Sequence, residues 1–383
     1  MRIALVSDTY APQVNGVTTV VARIAQALRD FGHDVAVVAP RYPGNSTSSP
    51  GELRIPSAAF PPYPAIRLSL PRFGAVARFL DTFKPDVVHV ATEGPLGLTG
   101  RRYAVRRHVP LVTSYHTNFP QYAQHYGAGV VEPLVWKWLR WFHRPAALTQ
   151  TPGEAVRDEL ERRGIGRPVV WGRGVDTTHF NPAKRSIGWR RWLAGGDDTA
   201  IVLHVGRLAP EKNIDVLAEA WIAARERVGQ RATFVLAGEG PETRRLLTLL
   251  PWVRQLGFLD RGRLAEVYAS ADICVLPSRT ETCGLVALEA MASGLAVVAA
   301  DAGGFRESIV HGRSGVLVAP DDATGFAAEI LSMVIAPQRR GEIANAARAA
   351  AIARDVAPEN LELLKQYAAV AGLSLPGTAS CAA

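Results

Sequence analysis

"PSRTETCGLVALEAMASG" occupies residues 277–294. The run that leads into it, "ICVLP" (273–277), is short and apolar enough for a buried strand. "AVVAA" (296–300), just beyond it, is another. Between them lie a polar loop and a helical stretch starting near Gly284. Strand, loop, helix and strand in that order make a βαβ unit, whose two strands lie parallel in one sheet. The same alternation runs outward. Strand candidates sit at 200–206, 232–238, 253–258 and 315–318, and in the first half at 2–7, 34–39, 86–90, 110–114, 146–149 and 168–171. No repeat period accompanies them, which excludes a solenoid.

The alternation breaks at "GRGVDTTHFNP" (172–182), which has two glycines, a proline and no apolar period. The expected fold is therefore α/β: two doubly wound, Rossmann-like domains, residues 1–178 and 179–357, facing each other across a cleft. The amphipathic helix at about 358–372 is expected to pack back on the first. Ligands of such sheets bind beyond the C-terminal strand ends. The Pro- and Ser-rich stretch 41–65 reads as a long loop.

Composition narrows the function. Of 383 residues, 48% are hydrophobic and 20% charged, as in an ordinary globular protein. No run of about 20 apolar residues occurs, so no helical membrane span is expected. A strand beginning at Arg2 leaves no room for a secretory signal. Cys274, Cys283 and Cys381 are too scattered for a disulfide framework or a metal cage. A cytoplasmic protein is expected. The net charge is +8, all of it in residues 1–180, where 21 Lys and Arg face 13 Asp and Glu. A basic half implies an anionic partner: nucleic acid, acidic lipid or a phosphorylated substrate. No helix-turn-helix, zinc-finger or RNA-recognition signature supports nucleic acid.

Three strand-to-helix loops carry candidate chemistry. "SDTYAPQVNGV" (7–17) puts Gly16 in the first turn of a helix. Helix-start N–H groups attract anions there, although such a glycine is often mere steric relief. "VGRLAPEKN" (205–213) places Arg207 and Lys212 just past a strand, where two cations suit a diphosphate. A solvated surface loop is the plain alternative. In residues 277–294, Glu281 lies in the loop and Glu289 in the second helical turn, separated by seven residues. Carboxylates at those places accept hydrogen bonds from paired sugar hydroxyls. Two glutamates at this spacing often arise by chance; their position gives them value.

Together the three loops resemble retaining glycosyltransferases of the GT-B fold, glycosyltransferase family 4, from Met1 to about Tyr367. "ETCGLVALEAMASG" and "GRLAPEKN" are the most specific motifs; "PQVNGV", "TSYHTNF" and "RGVDTTHFNP" agree. The resemblance implies a donor-binding second domain and an acceptor-binding first one. It implies that Arg207 and Lys212 hold the donor diphosphate, with backbone at Gly16. Glu289 would accept from the ribose and Glu281 from the transferred sugar, helped by N–H groups from Cys283, Gly284, Leu285 and Val286. His116 would lie near the reaction centre, although alone it reads as a satisfied histidine under a loop. Gly257 and Phe258, in "LGFLD", would cradle the base. Relatives use GDP-mannose or UDP-hexose donors, often with lipid or glycan acceptors. Cys283 stands where they commonly carry an aromatic, which bears on donor choice. No cofactor is implied: the nucleotide-sugar is a substrate, and "GGDDT" reads as a polar turn, not a metal motif.

"WKWLRWFHRP" (136–145) adds an acceptor-side expectation. On a helix over 131–144, Val131, Leu134, Trp138, Trp141 and Phe142 share one side. Lys137, Arg140, His143 and Arg144 share the other, with Trp136 among them. A basic face opposite an aromatic one fits an interfacial helix on an anionic membrane, with Arg106 and Arg107 of "RRYAVRRH" nearby. Aromatics packed in the core with the cations solvated are the alternative. The expected activity is transfer of a hexose, mannose from GDP-mannose foremost, to a lipid-linked or glycolipid acceptor at the inner membrane face. The rivals are a UDP-glucose-type donor with a soluble acceptor, a nucleotide-sugar epimerase, and an inactive binding protein. A glycosidase, the other use of paired carboxylates, has no need of a diphosphate-type cation pair.

Overall fold

The computed structural model describes residues 1–13, 15–43, 50–60, 63–70, 72–116, 132–172, 174–194 and 199–374. The chain divides into two compact units. One comprises Met1–Gly172 with Pro358–Ala383, the other Arg173–Ala357.

The first unit is built on a seven-stranded parallel sheet. Its strands are β1 (Arg2–Val6), β2 (Asp34–Pro40), β3 (Glu52–Ile55), β6 (Val87–Val90), β7 (Leu111–Ser114), β8 (Leu148–Thr151) and β9 (Pro168–Val170), in the order β3-β2-β1-β6-β7-β8-β9. Ile3–Val6, Val35–Pro40 and Val87–Val90 are buried without interruption. Strands covered on both faces need such continuous apolar runs, which is why the sheet was legible as parallel. The expected long loop is partly strand. β3 pairs in parallel with β2, and β4 (Ser57–Phe60) forms an antiparallel hairpin with β5 (Tyr63–Ser69).

The second unit carries a six-stranded sheet, β12-β11-β10-β13-β14-β15. These strands are β10 (Ala200–Val205), β11 (Ala232–Ala237), β12 (Arg254–Gln255), β13 (Ile273–Leu276), β14 (Ala296–Ala300) and β15 (Val316–Val318). The strand expected over 253–258 is only two residues long, because Gly257 turns the chain into the left-handed region at φ +65°.

The last helix, Val356–Ala371, buries Leu363, Leu364, Tyr367 and Ala368 in the first unit. A chain of polar groups fixes it there. The Ser114 hydroxyl donates to Gln150 Oε1 at 3.3 Å, so it accepts from His89 Nε2 at 2.6 Å. His89 Nδ1 in turn accepts from the Tyr367 hydroxyl at 2.5 Å. Gln150 Nε2 donates to Gln366 Oε1 at 3.1 Å. Burial holds the His89 pKa down to about 3, so the ring stays neutral.

Candidate functional site

In the second unit, two loops at the C-terminal end of the sheet are stitched together. The first leaves β10 through Gly206 and Arg207 and makes a single 3₁₀ turn, Pro210–Lys212. The second leaves β13 at Pro277 and ends in the helix Leu285–Ala292. Ser278 and Thr280 donate their hydroxyls to the Glu211 carbonyl at 3.4 and 3.1 Å. Asn213 donates to the carbonyls of Pro277 and Pro320. Across this seam the Lys212 ammonium pairs with the Glu281 carboxylate, both half-buried. Arg207 Nη1 stands 4.0 Å from buried Glu211.

Glycines set how closely these segments approach. A Cβ on Gly303 would stand 2.3 Å from the Glu281 carbonyl, and one on Gly304 2.5 Å from Cys283 backbone carbon. Gly304 N–H donates to the Glu281 carbonyl at 2.8 Å. Gly238 and Gly240 press likewise on Gly206 and Leu208. None of these four had a visible reason in the sequence, since each answers a partner distant along the chain.

Gly284 precedes the Leu285–Ala292 helix with φ +70°. Leu285 and Val286 therefore lie at N1 and N2, where amide hydrogens have no partner within the helix. Cys283 is a half-buried cysteine, not in a disulfide, beside this turn. Glu289 lies in the second turn and accepts from the Tyr268 hydroxyl at 3.4 Å. Burial first, then Glu289, then Cys274 and last Glu281 push the Tyr268 phenol well above its ordinary range, so both glutamates act on one ring. Gly257 abuts the Glu239 carboxylate, and its carbonyl accepts from Gly238 N–H at 2.8 Å. Phe258 is exposed.

Gly16 and His116 belong to the first unit. Gly16 opens the helix Gly16–Asp30, capped by Asn15 Oδ1 accepting from Thr18 N–H at 2.8 Å. A Cβ there would meet nothing within 4 Å among the described residues, so packing against them does not require the glycine. His116 follows β7. Burial, then the Arg23 guanidinium, hold its pKa down to about 4. Its Nε2 has no hydrogen-bond partner among the described residues. Val14 and the 117–119 part of "TSYHTNF" lie outside those residues.

The Glu132–His143 helix corrects the expected division of faces; Val131 lies outside the described residues. Trp136, expected among the exposed cations, is only 4% exposed. Its indole N–H donates to Glu132, and the Arg163 guanidinium stacks on it at 4.6 Å. His143 and Phe142 are buried too. The helix turns its Trp136–Leu139–His143 side inward, which leaves two strips outside. Leu134 (66% exposed), Trp138 (40%) and Trp141 (45%) form the apolar strip. Lys137, Arg140 and Arg144 form the cationic one. Arg101 of the Pro95–Arg107 helix stacks on Trp141 at 3.9 Å and donates to the Trp141 and Phe142 carbonyls. Arg106 is exposed, whereas Arg107 is engaged by Asp81 at 2.6 Å and offers less to an anionic surface. Among the described residues, no three His, Cys, Asp or Glu side chains cluster as a metal site would need.

The profile described as Glycosyltransferase Family 4 matches residues 14–179, and that described as Glycosyl transferases group 1 matches residues 199–335. A GDP-mannose-dependent alpha-mannosyltransferase of Mycolicibacterium smegmatis is 38% identical, over 97% of this chain and 98% of that one. The alpha-monoglucosyldiacylglycerol synthase of Acholeplasma laidlawii is 26% identical over 82% of this chain and 84% of that one. The crystal structure of Anabaena HepE in complex with UDP superposes with a TM-score of 0.76 at 21% identity, covering 96% of this chain and all of that one. With both matched segments carrying the expected motifs on two parallel sheets, the chain belongs to glycosyltransferase family 4 and is a hexosyltransferase of the GT-B fold.

Proposed function

We propose that the enzyme transfers mannose from GDP-mannose, with retention of configuration, to a hydroxyl of a lipid-linked or glycolipid acceptor at an anionic membrane surface. The observation that carries the donor half is the Lys212–Glu281 pair at the mouth of the second sheet. A nucleotide-sugar would exchange that pair for two contacts of matching sign, phosphate on Lys212 and sugar hydroxyl on Glu281. Arg207 adds a second cation as charge builds on the departing β-phosphate, and preorganised donors of this kind lower the barrier. Glu289 takes the ribose hydroxyls. The N–H groups from Cys283 to Val286 support the sugar, and the main chain around Gly257 and Phe258 supports the base. The first unit supplies the Gly16 amide to the phosphates and the neutral His116 to the sugar. The acceptor hydroxyl attacks from the face that the leaving group vacates, and a phosphate oxygen takes its proton.

Two facts support the acceptor half. The Acholeplasma relative is named for a diacylglycerol product. The outer side of the Glu132–His143 helix presents apolar and cationic strips together, as an interfacial helix on the inner membrane face would.

Donor choice is tested by measuring transfer and thermal shift with GDP-mannose, UDP-glucose, UDP-galactose and UDP-N-acetylglucosamine, all in excess chelator. GDP-mannose should stabilise the protein most and be consumed. Preference for a UDP-hexose would overturn the mannose assignment, and loss of turnover in chelator would overturn the assignment of leaving-group charge to Arg207 and Lys212.

A further inference from the structure

A buried histidine outside every motif quoted above sits where the second sheet reverses its strand order. β10 and β13 are paired only at Val202–Ile273 and Leu203–Cys274. One residue further the strands part. There the side chain of His204 bridges the gap, Nδ1 lying 2.8 Å from the Val275 carbonyl. A carbonyl only accepts, so Nδ1 carries the proton and Nε2 bears a lone pair. His204 is 2% exposed, and Nε2 has no hydrogen-bond partner among the described residues. That nitrogen lies 3.6 Å from where a Gly206 Cβ would stand, against the backbone that leads into Arg207. In doubly wound sheets this reversal point is where ligands bind.

Bridging the two strands needs only Nδ1. A second ring nitrogen, buried and unsatisfied, has a cost that a purely structural residue would avoid. The charged groups acting on the ring are the Lys212 ammonium and the Glu281 carboxylate, which oppose each other. Burial, the larger influence, keeps the imidazole neutral, with a pKa near 4. A nucleotide diphosphate brings two negative charges to this place, and a phosphate oxygen offers Nε2 an acceptor.

We propose that His204 is a further diphosphate-binding residue. Nε2 takes a proton from solvent as the nucleotide-sugar enters, and donates it in a hydrogen bond to a phosphate oxygen. The inference rests on the donor reading given above. No covalent bond forms, and the one proton gained by the ring is the one lost by the buffer. The leaving nucleoside diphosphate, which carries more negative charge than the intact donor, is held more firmly by the same contact.

The test is calorimetric titration of GDP-mannose, whose diphosphate diester does not itself titrate near neutrality. It is run near pH 6 in buffers of different ionisation enthalpy. The wild type should take up a substantial fraction of a proton per donor bound. His204→Asn, whose amide still donates to the Val275 carbonyl, should lose that uptake and bind about tenfold more weakly, with the gap closing as pH rises. His204→Gln is the second variant, and thermal melts show that each is folded. Unchanged proton uptake and affinity in folded variants would overturn the role of His204. Absence of nucleotide-sugar binding by the wild type would overturn the donor reading and this inference with it.

Discussion

Where the first sheet reverses its order, between β1 and β6, the acid at hand is committed to structure. Asp8 accepts from the N–H groups of Leu96 and Gly97 and from the Thr92 hydroxyl, and so caps the Pro95–Arg107 helix. Where the second sheet reverses, between β10 and β13, the charged groups Arg207, Lys212 and Glu281 stand within half-open loops. One strand plan thus carries two chemistries. A diphosphate is the same in every donor, and a fixed, glycine-limited set of charges suits it. The proposed membrane acceptor would vary, and what the first unit has to offer it is an outer helix face of apolar and cationic strips.

The sharpest way to break this comparison is Arg207→Ala. It should lower kcat by roughly 10²–10³, as loss of one transition-state donor does. Turnover like the wild type's would remove Arg207 from the grip. Replacing Lys137, Arg140 and Arg144 together by alanine tests the other unit. At about 1 kcal/mol for each cation near an anionic surface, vesicle affinity should fall about 100-fold while turnover on a soluble acceptor analogue stays unchanged. Equal co-sedimentation of variant and wild type would leave the helix face without that task.

Two glycines separate packing from ligand approach. Gly304→Ala should cost about 1–3 kcal/mol of stability, because its Cβ meets Cys283 backbone at 2.5 Å. Gly16→Ala should leave the melting temperature alone and weaken donor binding, since nothing among the described residues contests that space. A stable Gly304 variant would show the seam to be slack. Stability should also depend on pH. His116 and His204 have folded pKa values near 4, below the usual 6.5, so the unfolded chain binds more protons between those values. Stability is fully present above about pH 6.5 and falls as pH drops toward 4, by up to ~1.4 kcal/mol per pH unit for each ring. Chemical denaturation across that range should show the slope, and each His→Asn variant should flatten it.

Continuous apolar strands such as "RIALV" announced both sheets, and the residues that meet at the second sheet's mouth lay within quoted motifs. What stayed hidden depends on partners remote in sequence. β3 has four residues in a Pro- and Ser-rich stretch, and only its pairing with β2 makes it a strand. Gly303 and Gly304 look like a loose turn until Glu281 and Cys283 close over them. His204 resembles a core residue until the strands beside it part. Trp136 was placed on the wrong side because a helical wheel gives angles without saying which arc the protein covers.

The final helix belongs to the unit that begins at Met1, although the whole second unit is translated before it. The first unit therefore cannot be finished on the ribosome until its closing helix has emerged. Until Tyr367 arrives, His89 lacks the hydroxyl that meets its Nδ1, and the first unit lacks Leu363 and Leu364, which are buried in the finished fold, so that unit waits on residues translated after the whole of the second.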